Sequence, residues 1–140
     1  MDNINSLVTR SYDLWNAHDR DGWVGCFNDD VAFKGPGGLA GQGLDAARMF
    51  WSIWQDAFPD CQATMNVAVA EGNEAIQEGV FSGTHTEVLH TPNSGDIPPT
   101  GKGVALPFTL GQTYRDGRWS SFRLIFDQVD LMTQLGLTPS

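Results

Sequence analysis

The Asp116-Gly117 pair, set between two long apolar runs, constrains this chain more than any other feature. Asp-Gly takes the left-handed backbone of a two-residue hairpin loop, so it predicts paired strands over 106–114 and 119–127. With 116 and 117 as the loop, Arg115 faces Arg118 and Leu110 falls opposite Arg123. Alternation then gathers Trp119, Ser121, Arg123, Ile125 and Asp127 on one face, beside Tyr114, Gln112, Leu110, Phe108 and Leu106. Phe122, Leu124 and Phe126 take the other face. Both faces are largely apolar, so both need cover.

Asp127 ends this strand, and two readings of it stand. It can cap the turn of chain over 128–136, as aspartate often does at helix starts. Alternatively, a carboxylate at the mouth of an apolar pocket has its charged form disfavoured, which suits a general acid/base. Chain physics alone favours the cap.

Upstream, apolar residues at 4, 7, 8, 12, 14 and 15 give a helical stripe over 4–17, with Asn3, Asn5 or Ser6 as its cap. A short second helix is expected over 23–27 and a short strand over 31–34. The glycine-rich stretch 35–43 lacks a Walker lysine or a dinucleotide fingerprint and reads as a turn. Leu44 to Phe58 is the clearest helix, apolar over a wide arc and stopped by Pro59. Residues 62–71 and 74–86 form a second hairpin across Gly72-Asn73, with Ile76, Glu78, Val80 and Ser82 on one face. The proline- and glycine-rich segment 87–103 reads as a long irregular connection, a possible lid or pocket rim in a compact domain.

Several of these pieces resemble the SnoaL-like polyketide (ester) cyclases. They are Gly-Thr-His-Thr (83–86), Pro-Pro-Thr-Gly (98–101), Asp-Gly-Arg (116–118), and Asp127 seven residues before Gln-Leu-Gly (134–136). Ala57-Phe-Pro-Asp60 and Glu71-Gly-Asn73 fit the same order. The resemblance spans Ser6 to Leu137 and implies one α+β domain of the nuclear-transport-factor-2-like type. Such a domain is a cone, a strongly bent and mostly antiparallel sheet wrapped around N-terminal helices and enclosing a pocket.

The resemblance also implies that Asp127 holds the acid/base position, and it reverses the preference for the cap. The expected function is a cofactor-independent ring closure on an apolar polyketide or related intermediate. Two departures bear on the site. The aldol cyclases carry a histidine on the strand before the Asp-Gly turn, but 109–114 reads Thr-Leu-Gly-Gln-Thr-Tyr. Gln112 can hold a carbonyl or hydroxyl there but cannot shuttle a proton, which leaves hydroxyl attack on an epoxide, dehydration or isomerisation open. Glu78 stands where the family often has arginine and Arg123 where it often has tryptophan, so a compensating Glu78–Arg123 pair near Asp127 is expected.

Tyr12, Trp15, Trp51, Trp54, Phe108, Tyr114, His85 and His90 complete the expected site as substrate contacts, with core packing the bland alternative for the aromatics. A non-catalytic binding or dimerisation module is the competing class.

The 17 acidic against 8 basic residues, a formal charge of −9, argue against nucleic acid or an anionic membrane as partner. No secretory signal or membrane span is visible, and Cys26, Cys61 and the three histidines form no metal motif. The expectation is a cytoplasmic protein with a small-molecule substrate, no metal and no cofactor. Two-sided apolar strands in so small a domain also predict a homodimer.

Overall fold

The computed structural model describes residues 3–92 and 95–137. In chain order the elements are α1 (Ile4–Asn16), α2 (Arg20–Val24), β1 (Phe27–Lys34), β2 (Ala40–Gln42), α3 (Leu44–Ala57), β3 (Gln62–Glu71) and β4 (Glu74–Thr84). There follow β5 (Leu89–Thr91), β6 (Gly95–Ile97), β7 (Gly103–Arg115), β8 (Arg118–Phe126) and α4 (Gln128–Gln134). A short 3-10 turn, Pro36–Gly38, links β1 to β2.

Six strands form one sheet in the order β2-β1-β8-β7-β4-β3, antiparallel throughout except for the parallel β1–β8 pair. The sheet bends around α1 and α3, giving the expected α+β cone. Asn3 caps α1 by accepting from the Ser6 N–H at 2.8 Å. Two cross-links then seat that helix. The Asn16 side chain donates to Ala63 O (2.9 Å) and accepts from Ala63 N–H (2.7 Å), while Gln55 Nε2 of α3 donates to Trp15 O (3.1 Å).

The core between helices and sheet is aromatic. Phe122 stacks on Phe33 at 4.7 Å and meets Phe50 edge-on at 5.0 Å, and Trp15 meets Trp51 at 5.0 Å and Trp23 at 5.3 Å. Such contacts add to plain area burial.

The β7–β8 hairpin closes at Asp116-Gly117, and Arg115 faces Arg118, as its sequence dictates. Both loop residues have positive φ, 55° and 83°. Two steps further the register departs from simple alternation. Tyr114 faces Trp119 but Thr113 faces Ser121, so one extra residue, Ser120, is accommodated on β8. Beyond this bulge every side chain changes face. Leu110 faces Leu124, Arg123 lies opposite Gly111, and Phe122, Leu124 and Phe126 join Gln112, Leu110 and Phe108 on the concave side.

The second helix spans Arg20–Val24 and β1 begins at Phe27, both earlier than expected. Within the irregular 87–103 segment lies a small hairpin, β5–β6, anchored by buried Leu89 and Ile97; residues 93 and 94 of that segment fall outside the described residues.

Candidate functional site

The concave side of the sheet encloses a cavity of about 100 Å³. Its floor is β7 and β8, whose inward residues run Leu106, Phe108, Leu110, Gln112 and Phe122, Leu124, Phe126. Helix α1 contributes Ser11, Tyr12 and Trp15, and α3 contributes Phe50 and Trp54. Among the described residues no Asp, Glu, Lys, Arg or His lines it. Polarity comes instead from uncharged groups.

Tyr12 is one of them. Burial pushes its phenol well above the ordinary tyrosine range, so it stays protonated at any ordinary pH. Its hydroxyl donates to Gln77 Oε1 at 3.4 Å, a long contact for an O–H donor. Gln77 is itself fully buried on β4, where alternation with Ala75 and Phe81 turns it inward. Gln112, only 3% exposed, has a buried side-chain carbonyl oxygen without a hydrogen-bond partner among the described residues, and the Trp54 indole N–H is in the same condition. Native interiors rarely leave such groups unpaired. Ser11 is satisfied: its Oγ accepts from Trp119 Nε1 at 2.9 Å and donates to Leu7 O at 2.8 Å.

The expected site residues scatter when set on this frame. Tyr12, Trp15, Trp54, Phe108 and Gln112 come together around the cavity. Trp51 is core, packed on Trp15 and Trp23, and Tyr114 lies edge-on to Trp119 at 6.3 Å. His85 is fully buried in a clasp: its Nδ1 accepts from Thr100 N–H at 3.2 Å and lies 3.0 Å from Thr100 Oγ1. The clasp pins Pro-Pro-Thr-Gly to the end of β4, and burial lowers the imidazole pKa. His90 is exposed and 2.8 Å from Asp96.

Two expectations need correction. Arg123 and Glu78 form no pair. The bulge turns Arg123 to the convex side, where its guanidinium reaches Glu74 Oε2 at 3.5 Å, while Glu78 lies exposed opposite Thr109. For the same reason Asp127 does not share a face with Gln112. It is exposed and caps α4, its Oδ1 accepting from Val129 N–H (2.9 Å) and Asp130 N–H (3.2 Å). Asp127 nevertheless follows directly on Phe126, which lines the cavity.

Gln77 escaped the sequence reading, overshadowed by Glu78 beside it. An uncharged amide between Ile76 and Glu78, on a strand whose other inward positions are Ala, Gly and Phe, was the available signal.

Comparisons with known proteins agree with this geometry. The family described as "SnoaL-like domain" matches residues 8–122. No curated protein matches the chain. Among solved structures, a candidate SnoaL-like polyketide cyclase from Jannaschia sp. CCS1 superposes with a TM-score of 0.82 at 24% identity, covering 96% of this chain and 92% of that one. AclR, a candidate hydroxylase from Streptomyces galilaeus, gives 0.79 at 19% identity, covering 96% of each chain. A protein from Catenulispora acidiphila with a ketosteroid isomerase-like fold, in complex with trimethylamine, gives 0.78 at 15% identity, covering 98% of this chain and 96% of that one. At these identities the likeness establishes the fold, which carries differently described activities.

Proposed function

Because the chain belongs to the SnoaL-like domain family, we propose that it is a small cyclase that closes a ring in an apolar, oxygenated polyketide-type intermediate without a cofactor. The observation that carries this reading is the cavity: apolar walls with a few uncharged polar groups, built over the segment that matches the family. In an intramolecular aldol closure the base removes a proton next to one carbonyl. The resulting enolate carbon attacks a second carbonyl of the same chain, and that oxygen takes up a proton. The nucleophile belongs to the substrate, so the protein supplies folding of the chain, a base and a proton donor.

Among the described residues the cavity wall carries no carboxylate, so in this reading the base works from the rim. Asp127, the residue after cavity-lining Phe126, is our candidate. Glutamine at 112 and the lack of histidine over 109–114 keep hydroxyl attack on an epoxide within the same proposal. A non-catalytic ligand binder is the second reading, favoured by the engagement of Asp127 as a helix cap.

One experiment separates them. Linear β-polyketone esters are incubated with the protein, and products are followed by mass spectrometry for ring closure, which conserves mass, or for closure with loss of water. Asp127→Asn keeps the cap but cannot take a proton, so catalysis by Asp127 predicts about a hundredfold loss of turnover with folding intact. Full activity in that variant removes Asp127 from the mechanism, and no closure of any ester leaves the binding reading.

We also propose a homodimer formed through the convex sheet face, where Val67, Val69, Ile76 and Ile125 lie exposed. Sedimentation that returns only the single-chain mass at working concentrations contradicts it.

A further inference from the structure

Three successive residues fold back on one histidine just past the end of β4. The Thr100 N–H donates to His85 Nδ1 at 3.2 Å, with the Thr100 hydroxyl oxygen 3.0 Å from the same nitrogen. The Gly101 N–H donates to His85 O at 2.8 Å, and the His85 N–H donates to Lys102 O at 2.9 Å. Gly101 allows this turn through a φ of 71°. The stretch so held, 98–102, belongs to no strand or helix.

The contact fixes where the ring carries its proton. A backbone N–H can only donate, so Nδ1 presents its lone pair and the single proton sits on Nε2. Nε2 is buried and has no hydrogen-bond partner among the described residues. The ring is fully enclosed, 5.3 Å from Phe58. A second proton goes onto Nδ1, directly against the Thr100 N–H, and leaves a cation in an apolar niche.

The surrounding charges do not compensate that cation. Asp60, in the turn after α3, is committed to Thr84, accepting from its N–H at 2.7 Å and its hydroxyl at 2.8 Å; these bonds hold its carboxyl below the ordinary carboxylate range. Asp56 near the end of α3 and Glu87 beyond His85 are exposed. Cys61, beside Gly83, has its thiol pushed up to about 12 by burial and is neutral. The Lys102 side chain runs to Gly136, and His90 and Asp96 on the β5–β6 hairpin face each other at 2.8 Å. The Glu87 backbone favours the protonated ring, but burial outweighs it and the imidazole pKa falls below the ordinary histidine value.

We propose that His85 is a proton-sensitive latch: neutral, it holds residues 98–102 on the end of β4, and protonated it releases them while the sheet and helices stay folded. In the released form the imidazole meets water and protonates near pH 6.5. Below that pH the released form binds more protons than the closed one, so it gains population as pH falls. Asp60 keeps its charge through this interval, and the response belongs to His85. Phe58 carries the change to the cavity, since it lies 5.3 Å from Phe81 and 6.4 Å from Trp54, both in the cavity wall. The latch does not depend on what the cavity binds.

The test is amide exchange followed by NMR between pH 7.5 and pH 5, with the His85 ring nitrogens observed in the same samples. Protection of the Thr100 and Gly101 amides should fall about tenfold or more by pH 5, in step with ring protonation. About thirtyfold is the limit for an imidazole that protonates near pH 6.5 only when released. The amides of β7 and β8 should keep their protection. His85→Asn places an amide oxygen where Nδ1 accepts and cannot take a proton, so its Thr100 protection should not respond to pH.

If His85→Asn fails to fold, the unaltered protein still decides. The proposal falls if the ring protonates while Thr100 stays protected, or if Thr100 is unprotected already at pH 7.5. It falls equally if the ring stays neutral until the whole sheet unfolds, if β7 and β8 open together with Thr100, or if a folded His85→Asn responds to pH as the unaltered protein does.

Discussion

The two faces of strands β4, β7 and β8 are made from the same short stretches of chain yet share almost no chemistry. On the concave face Gln77, Leu110 and Leu124 stand in one row, and Ala75, Gln112 and Phe122 in the next. On the convex face the rows read Ile76, Gly111, Arg123 and Glu78, Thr109, Ile125. Every charge in these rows is outside, and both buried amides are inside. The division depends on a single residue, because the Ser120 bulge decides which half of β8 faces inward. The fold thus tolerates polarity in its cavity only where it is uncharged, and leaves ion pairs where water screens them.

Deleting Ser120 is the most severe way to break this comparison. It turns Arg123 and Ile125 inward and Phe122, Leu124 and Phe126 outward, or else tears the hairpin. The expected outcome is loss of cooperative unfolding and of near-ultraviolet circular dichroism, whereas Ser120→Gly keeps the register and the fold. A well-folded deletion variant with native stability would show that the bulge is dispensable.

Phe122→Ala tests the inner face alone. Phe122 is 2% exposed among Phe27, Phe33, Phe50 and Trp23. Truncation should cost about 3–5 kcal/mol in urea unfolding.

A third measurement uses pH. The folded Tyr12 holds its proton above the ordinary tyrosine range, while the unfolded chain releases it near pH 10. The folded state therefore binds more protons in that interval. Its contribution to stability is complete below pH 10 and is lost as pH rises toward the folded value. Urea midpoints at pH 9 and 11 should show the fall; burial also pushes the Cys61 thiol up to about 12, so Tyr12→Phe should reduce the fall and leave the part due to Cys61.

The smallest effect belongs outside. Arg123→Met removes a half-exposed pair with Glu74, so the change in unfolding free energy should stay within about 1 kcal/mol. A loss of several kcal/mol would mean that the convex face is organised by its charges after all.

The limits of sequence reading show at the same residues. Asp116-Gly117 announced its hairpin because positive φ at two successive positions is written in residue type. The bulge was not announced, since Trp119-Ser-Ser-Phe122 alternates as plausibly without it as with it. Only the size of Trp119 and Phe122, three positions apart and both destined for the core, hinted that a residue had to be absorbed between them. That hidden step turned Arg123 to the convex face and took Asp127 off the face of Gln112. The aromatic helix faces were legible from periodicity, but periodicity could not tell Trp54 in the cavity wall from Trp51 in the core. That distinction depends on where the sheet bends. Gln77 was invisible for a similar reason, as its meaning comes from Tyr12 on a distant helix.

The parallel seam between β1 and β8 has a consequence for how the molecule comes into being. Phe33 meets Phe122 across that seam, and Trp119 meets Ser11 over a separation of 108 residues. Contacts so far apart in the chain carry a large loop-closure entropy before they return any stabilisation, which slows the search for the native arrangement. Until β8 docks, the aromatic groups of α1, α2, β1 and α3 have only one another, so a growing chain leaves the side that meets Phe122 and Trp119 uncovered while β3 to β7 are added. The strand that floors the cavity is then also the latch of the folding reaction, and substitutions that slow its docking should be read out first as aggregation during synthesis.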